Sequence, residues 1–253
     1  MVNVPWFIKI PAKVILSRLP VGERTWQRVN LFRAGGMDSE AYARSVFDQH
    51  YKASGLDGLR GCTILELGPG NGLLTGKFAG ELGATRIWLV DSHPIAEPAS
   101  FPNTTYLSDG LKSLRMIPDA SIDFAFSNAV LEHVRKREFG PIVKEICRVL
   151  KPRGVTSHQI DFRDHLQYAL NNLRFSERTW ESEFMANSGF YTNRLSWAHM
   201  KSVFEASGFA VQSERLSQWD KLPTPRSAMA PEFRDVPLEE LLVMDCHAVL
   251  TPI

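Results

Sequence analysis

From about residue 38 onward, short apolar runs alternate with amphipathic stretches, the pattern of a parallel sheet covered by helices. Residues 62–67, 86–90, 122–127 and 154–160 read as strands, and 104–107 as a weaker one. Their β-branched and aromatic content suits strands buried on both faces. Residues 39–54 read as a helix with Ala43, Val46, Phe47 and Tyr51 on one face, and 72–82 as a second. A third, 139–150, carries Ile142, Val143, Ile146 and Val149 at core-facing spacing. It is expected to stop at Lys151-Pro152-Arg153-Gly154, where proline cannot continue the helix and glycine permits a turn. Residues 161–195 are aromatic and polar without a clean period, so they read as an insertion over one end of the sheet. A helix at 196–207 ends at Gly208, and 209–215 and 241–250 resemble two final strands.

The chain has 253 residues, 44% of them hydrophobic and 23% charged, enough for one substantial core. This divides it into an arm, residues 1–36, and one main domain, 37–253. A net charge of +1 without a concentrated basic excess argues against a nucleic-acid partner. The arm is different: six basic residues against Glu23 make it +5, leaving +1 − 5 = −4 for the rest. Trp6, Phe7, Ile8 and Ile15 alternate with those basic residues. That pattern suits a lid, a dimer contact, a weak contact with an anionic membrane surface, or a solvated arm. Three scattered cysteines form neither a disulfide framework nor a zinc motif, which fits a reducing compartment such as the cytoplasm. No cleavable leader and no membrane-spanning run is read in the chain.

The candidate chemistry begins at residues 64–76, ILELGPGNGLLTG, with Gly68, Gly70 and Gly72 at alternate positions behind an apolar run. Glycines at a strand-to-helix turn let the backbone approach a ligand. The dinucleotide fingerprint GxGxxG is not completed, because the sixth position is Leu73 in one frame and Thr75 in the other. Glu66 would repel a pyrophosphate but suits a ligand with a charged amino group. Asp91, ending WLVD, stands where a doubly wound fold puts the carboxylate that accepts ribose hydroxyls. Asp109, in SDG, is placed to meet an adenine amino group.

The blocks ELGPGNG, LVDSHP, SDG, DFAFSNAVLEHV and RVLKPRGV occur in the order and spacing of class I S-adenosylmethionine-dependent methyltransferases. The chain resembles that family, in its small-molecule, type-11-like branch, over residues 42–160 and in general layout over 195–250. The resemblance implies a Rossmann-like, doubly wound seven-stranded sheet with its last strand antiparallel. It also implies S-adenosyl-L-methionine as cofactor, lying over Gly68, Pro69, Gly70, Asn71 and Gly72, with its ribose on Asp91 and Ser92. Asp109 and Gly110 would flank the adenine, and Ser127 and Asn128 the methionine end. The insertion resembles methyltransferases of surface-glycan and natural-product pathways, which implies a small or glycosylated acceptor.

Methyl transfer is an in-line displacement that depends on placement, with a general base for a hydroxyl acceptor. His133 in LEHV, and Asp161 and His165 after the fifth strand, are the candidates. Four apart on a short helix, Asp161 and His165 would face the same way. The plainer readings are a packed histidine under the cofactor, a cap and a solvated face. Arg163, Tyr191, Asn193 and Arg194 suit recognition of a sugar or acidic group, or equally a loop pinned to its own domain. His158, inside a strand, reads as a satisfied core histidine. Asp164 beside these residues is too weak a signal to expect a metal. The competing functions are a cofactor-binding protein without activity and a nicotinamide-dependent oxidoreductase, which the broken fingerprint opposes. Ser127-Asn128-Ala129-Val130 stands where base and glutamine methylases carry Asn/Asp-Pro-Pro-aromatic, which speaks against methylation of those amino groups.

Overall fold

The structure is a computed structural model that describes residues 39–94, 96 and 100–253; the arm lies outside the described residues. Seven strands form one sheet: β1 (Thr63–Leu67), β2 (Arg86–Val90), β3 (Thr104–Leu107), β4 (Ile122–Asn128), β5 (Leu150–Asp161), β6 (Phe209–Gln218) and β7 (Val243–Pro252). Their order is β3-β2-β1-β4-β5-β7-β6. The first five run parallel, whereas β7 lies antiparallel to both β5 and β6. This is the doubly wound sheet with an antiparallel last strand that the resemblance implies.

Period-two alternation sends neighbouring residues to opposite cores. Ile64, Phe124 and Phe126 pack with Phe47 of α1 (Glu40–Ser54) and Phe78 of α2 (Thr75–Glu81). Leu65 and Ala125 join the core that also holds Leu114 of α3 (Leu111–Arg115) and Val143 and Ile146 of α4 (Lys136–Val149). His158 is fully buried between the hydroxyls of Ser127 at 2.8 Å and Thr156 at 2.9 Å. Burial pushes it down to about 3, so it is a neutral core residue at pH 7.

Three boundaries differ from the sequence reading. The turn after β1 persists to Leu74 because Gly68, Gly70 and Leu73 adopt left-handed conformations, so α2 starts at Thr75 rather than 72. The third helix starts at Lys136 rather than 139, with Pro141 inside it. Lys151-Pro152-Arg153-Gly154 is not a turn between elements. Leu150 already pairs with Ile122, and a register shift before Phe124 and Val155 absorbs the extra residues, including the proline with no N–H to give the ladder.

The insertion holds one 3-10 turn and two single-turn helices, α5 (Glu177–Trp180) and α6 (Glu183–Ala186), capped by Ser176 and Ser182. Trp180 is fully buried among Leu166, Met185, Phe190 and Tyr191, and its indole N–H donates to the Thr192 carbonyl at 2.7 Å. The insertion thus has a small core of its own. It leads into α7 (Trp197–Ala206), whose Met200 and Phe204 pack with the α4 side of the sheet. Among the described residues no helix is long and apolar enough to cross a membrane.

Candidate functional site

The topology reverses between β1 and β4, and in open α/β sheets a ligand crevice opens beyond the carboxyl ends of the strands at such a point. A cavity of about 660 Å³ lies there, within the usual range for a small-molecule site, lined among others by Gly68, Asp91, Ser92, Asp109, Gly110 and His133. Gly68 has φ 66°, and its N–H donates to the Val90 carbonyl at 2.8 Å. A Cβ at this position would lie 2.3 Å from Val130 Cγ2, so the turn is closed down on the loop after β4 and only glycine fits.

Asp91 caps β2. Its N–H donates to the Leu107 carbonyl and its own carbonyl accepts from Gly110, tying the tips of β2 and β3 together. Its half-buried carboxylate accepts from the Ser92 amide at 2.7 Å. Burial raises its pKa, and the amides of Ser92 and His93 oppose the rise. Asp109 is exposed, its N–H on Ser113 Oγ at 2.8 Å.

Glu66 is buried on β1, at 1% exposure. Burial pushes its carboxyl up to about 8, against a hydrogen bond from Thr75 and with the help of the Asp91 charge. Its Oε2 and Asn71 Oδ1, both at the glycine turn, have no partner among the described residues. Ser127 is turned into the core on His158, and Asn128 is half-buried at the end of β4 near His50.

The candidate catalytic residues meet differently from the expectation. Residues 161–165 form no helix, since β5 runs to Asp161 and the chain then turns. Asp161 is clasped by Arg163, with Nε to Oδ1 and Nη2 to Oδ2 both at 2.9 Å. His165 reaches His133 instead, Nε2 to Nε2 at 3.1 Å, while His133 Nδ1 lies 2.8 Å from the Tyr191 carbonyl. Solvent reaches His133 at the cavity, yet the protein packed round the ring lowers its pKa, a shift that the Tyr191 carbonyl and the Asp161 charge oppose.

Tyr191 and Asn193 are buried. The tyrosine hydroxyl donates to Glu181, and Asn193 Nδ2 donates to the carbonyls of Leu131 at 2.8 Å and Val134 at 3.0 Å. Asn193 therefore pins the LEHV loop. Arg194 has no exposed side-chain surface; it donates to the carbonyls of Asn172 and Phe175 and pairs with Glu177 at 3.0 Å. It borders a separate cavity of about 210 Å³. Asp164 is buried and accepts from the amides of Leu166 and Gln167. Among the described residues no group of three or more His, Cys, Asp or Glu side chains is arranged to hold a metal.

Two features are not anticipated by the sequence reading. Glu132, beside His133, is buried, takes the Asp161 N–H on Oε1 at 3.3 Å and is pushed up to about 8 by burial. A row of half-buried polar groups also crosses β4, β5 and β7: Asn128 pairs in register with Gln159, and Asp161 with Asp245. Gln159 Nε2 donates to Asp245 at 3.2 Å, and Gln49 of α1 donates to Gln159 at 3.4 Å. Strand alternation is the signal that could have found the row, since 157, 159 and 161 must share a face.

Residues 65–157, from β1 into β5, match the family model described as a methyltransferase domain. The fold is that of the class I methyltransferases. An S-adenosylmethionine-dependent methyltransferase from Mesorhizobium loti is similar, at TM-score 0.51 and 19% identity, over 85% of this chain and 100% of that one. A methyltransferase from Burkholderia thailandensis acting at N1 of 1,6-didemethyltoxoflavin, solved with that compound and S-adenosylhomocysteine, gives TM-score 0.52 and 14% identity over 95% and 88%. Phosphoethanolamine N-methyltransferase 2 of Haemonchus contortus, solved with S-adenosylmethionine, gives 0.52 and 14% over 82% and 52%. At these identities the likeness is one of fold. No curated protein matches the chain.

Proposed function

We propose that this class I methyltransferase fold binds S-adenosyl-L-methionine and methylates a hydroxyl oxygen of a small, sugar-containing or natural-product acceptor. The observation that carries the cofactor is Asp91, whose carboxylate stands at the tip of β2 and borders the cavity beside Gly68. The polar groups around it fit. Glu66 Oε2 and Asn71 Oδ1, at the glycine turn, have no partner among the described residues, and Asp91 and Asp109 add two acids in the cavity. That set disfavours a pyrophosphate and suits a ligand bearing an ammonium, ribose hydroxyls and an adenine amine.

Asp91 and Ser92 would hold the ribose, Asp109 and Gly110 the adenine, and the turn from Gly68 to Gly72, with Glu66 behind it, the methionine end. Asn128 stands at that same end. When bound, the cofactor supplies an electrophilic methyl group on a sulfonium. The protein's part is to place the acceptor oxygen in line behind that methyl and to keep water out, which supplies most of the rate in such a displacement. The row Asn128, Gln159, Asp161 and Asp245, with Arg163 beside it, supports a hydroxyl-rich acceptor, because its amides, acids and guanidinium match alternating hydroxyl donors and acceptors.

The test is transfer of labelled methyl from S-adenosylmethionine to a panel of sugars, glycolipids and phenols. Label on an ether oxygen supports the reading. Label on nitrogen would contradict the hydroxyl acceptor, and cofactor binding with no turnover across the panel would favour a binding protein without activity.

A further inference from the structure

A second line of polar groups, this one buried, runs from α1 through β5 and β7 to β6. Ser157 of β5 stands between two imidazoles, its Oγ 2.8 Å from His50 Nδ1 on α1 and 2.9 Å from His247 Nε2 on β7. The centroids of the two rings are 5.4 Å apart. His247 Nδ1 in turn meets Arg215 Nη2 of β6 at 3.4 Å. His50 is fully buried and His247 is 8% exposed, whereas Arg215 is exposed on the last strand in the sheet order.

The hydrogens along this line can be counted from the arginine. A guanidinium only donates, so His247 Nδ1 accepts. Burial, with the Arg215 charge, lowers the pKa of His247, and the ring is neutral at pH 7 with its one hydrogen on Nε2. That hydrogen goes to Ser157 Oγ, and the serine hydrogen is left for His50 Nδ1. Burial above all pushes His50 down to about 3, so it too is neutral, and its hydrogen sits on Nε2.

His50 Nε2 is buried, and no acceptor lies within full bonding distance of it among the described residues. What it faces is set by the strands. The ring stacks on Phe126, centroids 5.1 Å apart, and Asn128 follows two residues on along the same face of β4. The Asn128 side chain favours a charge on the ring by hydrogen bonding, which an amide does only with its carbonyl oxygen. Oδ1 therefore faces His50 across a long contact, and Nδ2, on the other arm of the amide, faces away from the ring. Gln159, beside Asn128 in register, is fixed from the same side of the sheet. The Asp245 carboxylate only accepts and takes Gln159 Nε2, which leaves Oε1 to Gln49.

The geometry points to Arg215 fixing, through His247, Ser157 and His50, which way round the Asn128 amide stands, so that Asn128 meets the acceptor as a hydrogen donor. This rests on the reading of the polar row as the acceptor's, though the order of hydrogens along the line does not. Arg215, His247, Ser157 and His50 are positioning residues, and none of them touches the reacting atoms. A donor at Asn128 selects an acceptor that turns an oxygen lone pair toward the end of β4, from a hydroxyl, a ring oxygen or a carbonyl. It disfavours one that turns an ammonium there.

Nitrogen-15 NMR of the imidazoles and side-chain amides, with and without S-adenosylhomocysteine, tests this in the wild type, Arg215→Met and Asn128→Asp. The wild type should show His247 and His50 both as the Nε2–H tautomer. In Arg215→Met, a change at the exposed edge of the sheet, His247 should become a mixture of tautomers, and the His50 ring and Asn128 amide signals should move with it. A wild-type His50 in the Nδ1–H form, or His50 and Asn128 signals that ignore Arg215→Met, overturns the proposal. Asn128→Asp sets a carboxylate against the His50 N–H and should raise the His50 midpoint by about one pH unit or more; an unmoved midpoint overturns the link between ring and amide. On an acceptor that is turned over, Arg215→Met should raise KM by about threefold to tenfold, with kcat and S-adenosylhomocysteine affinity little changed, and an unchanged KM overturns the role in recognition. The wrong tautomers in protein that binds S-adenosylhomocysteine leave the methyltransferase reading standing. The expected tautomers in folded protein that does not bind S-adenosylhomocysteine overturn that reading, and the acceptor's place at Asn128 with it.

Discussion

Replacing Glu66 by Gln should abolish a proton release that accompanies cofactor binding. In the unliganded protein the Glu66 carboxyl is buried and pushed up to about 8. At pH 7, one unit lower, about 90% of it is protonated. An ammonium arriving at the glycine turn stabilises the carboxylate, so binding should expel about 0.9 of a proton per site at pH 7 and progressively less above pH 8. The assay is calorimetric titration with S-adenosylhomocysteine in buffers of different ionisation enthalpy, whose slope counts protons. Glu66→Gln has no proton to lose there, and the slope should fall by that amount. The same shift sets a stability trend. A carboxyl whose folded pKa lies above its unfolded value stabilises fully below about 4.5 and loses that contribution as pH rises toward 8, at about 1.4 kcal/mol per unit. Unliganded Glu66→Gln should therefore melt higher than wild type above pH 8 and gain little near pH 4. Equal proton release in the two proteins would refute the placement of the ammonium beside Glu66.

Three further outcomes follow from the same geometry. Asp91→Asn should weaken S-adenosylhomocysteine binding by about 1.5–3 kcal/mol, the worth of a hydrogen bond to a charged group, with the far-ultraviolet spectrum unchanged; unaltered affinity would remove Asp91 from the site. Gly68→Ala should lower the melting temperature, because φ 66° costs a residue with a Cβ about 1–2 kcal/mol and that Cβ meets Val130 at 2.3 Å. Val130→Ala in the same chain should recover the steric part, and additive effects would argue against the contact. Asn193→Ala should cost about 1–3 kcal/mol in urea unfolding by leaving the Leu131 and Val134 carbonyls without their donor; no loss would mean the LEHV loop is held by other means.

The parallel strands are legible in the sequence because a strand covered on both faces must be apolar through its middle, as 87–90 and 124–126 are. The glycine turn and Asp91 are legible for a related reason: a ligand that needs bare backbone and a carboxylate leaves both in the chain order. What escapes a linear reading is set by tertiary contact. Lys151-Pro152-Arg153-Gly154 has the composition of a turn, yet pairing of Leu150 with Ile122 makes it part of β5. Helices of four residues in the insertion span barely one 3.6-residue turn, too little for a period to repeat and show itself; Trp180 and its buried neighbours order them. His133 and His165, 32 residues apart, meet across the fold, whereas the expected short helix that would have put Asp161 and His165 on one face does not form, because β5 runs on to Asp161.

The most direct measurement is calorimetric titration of the purified protein with S-adenosylhomocysteine, with NADH in parallel. Stoichiometric binding of S-adenosylhomocysteine and none of NADH is the expected result. Folded protein that binds NADH, or that binds neither, would contradict the reading of the glycine turn, of Glu66 and of Asp91 together.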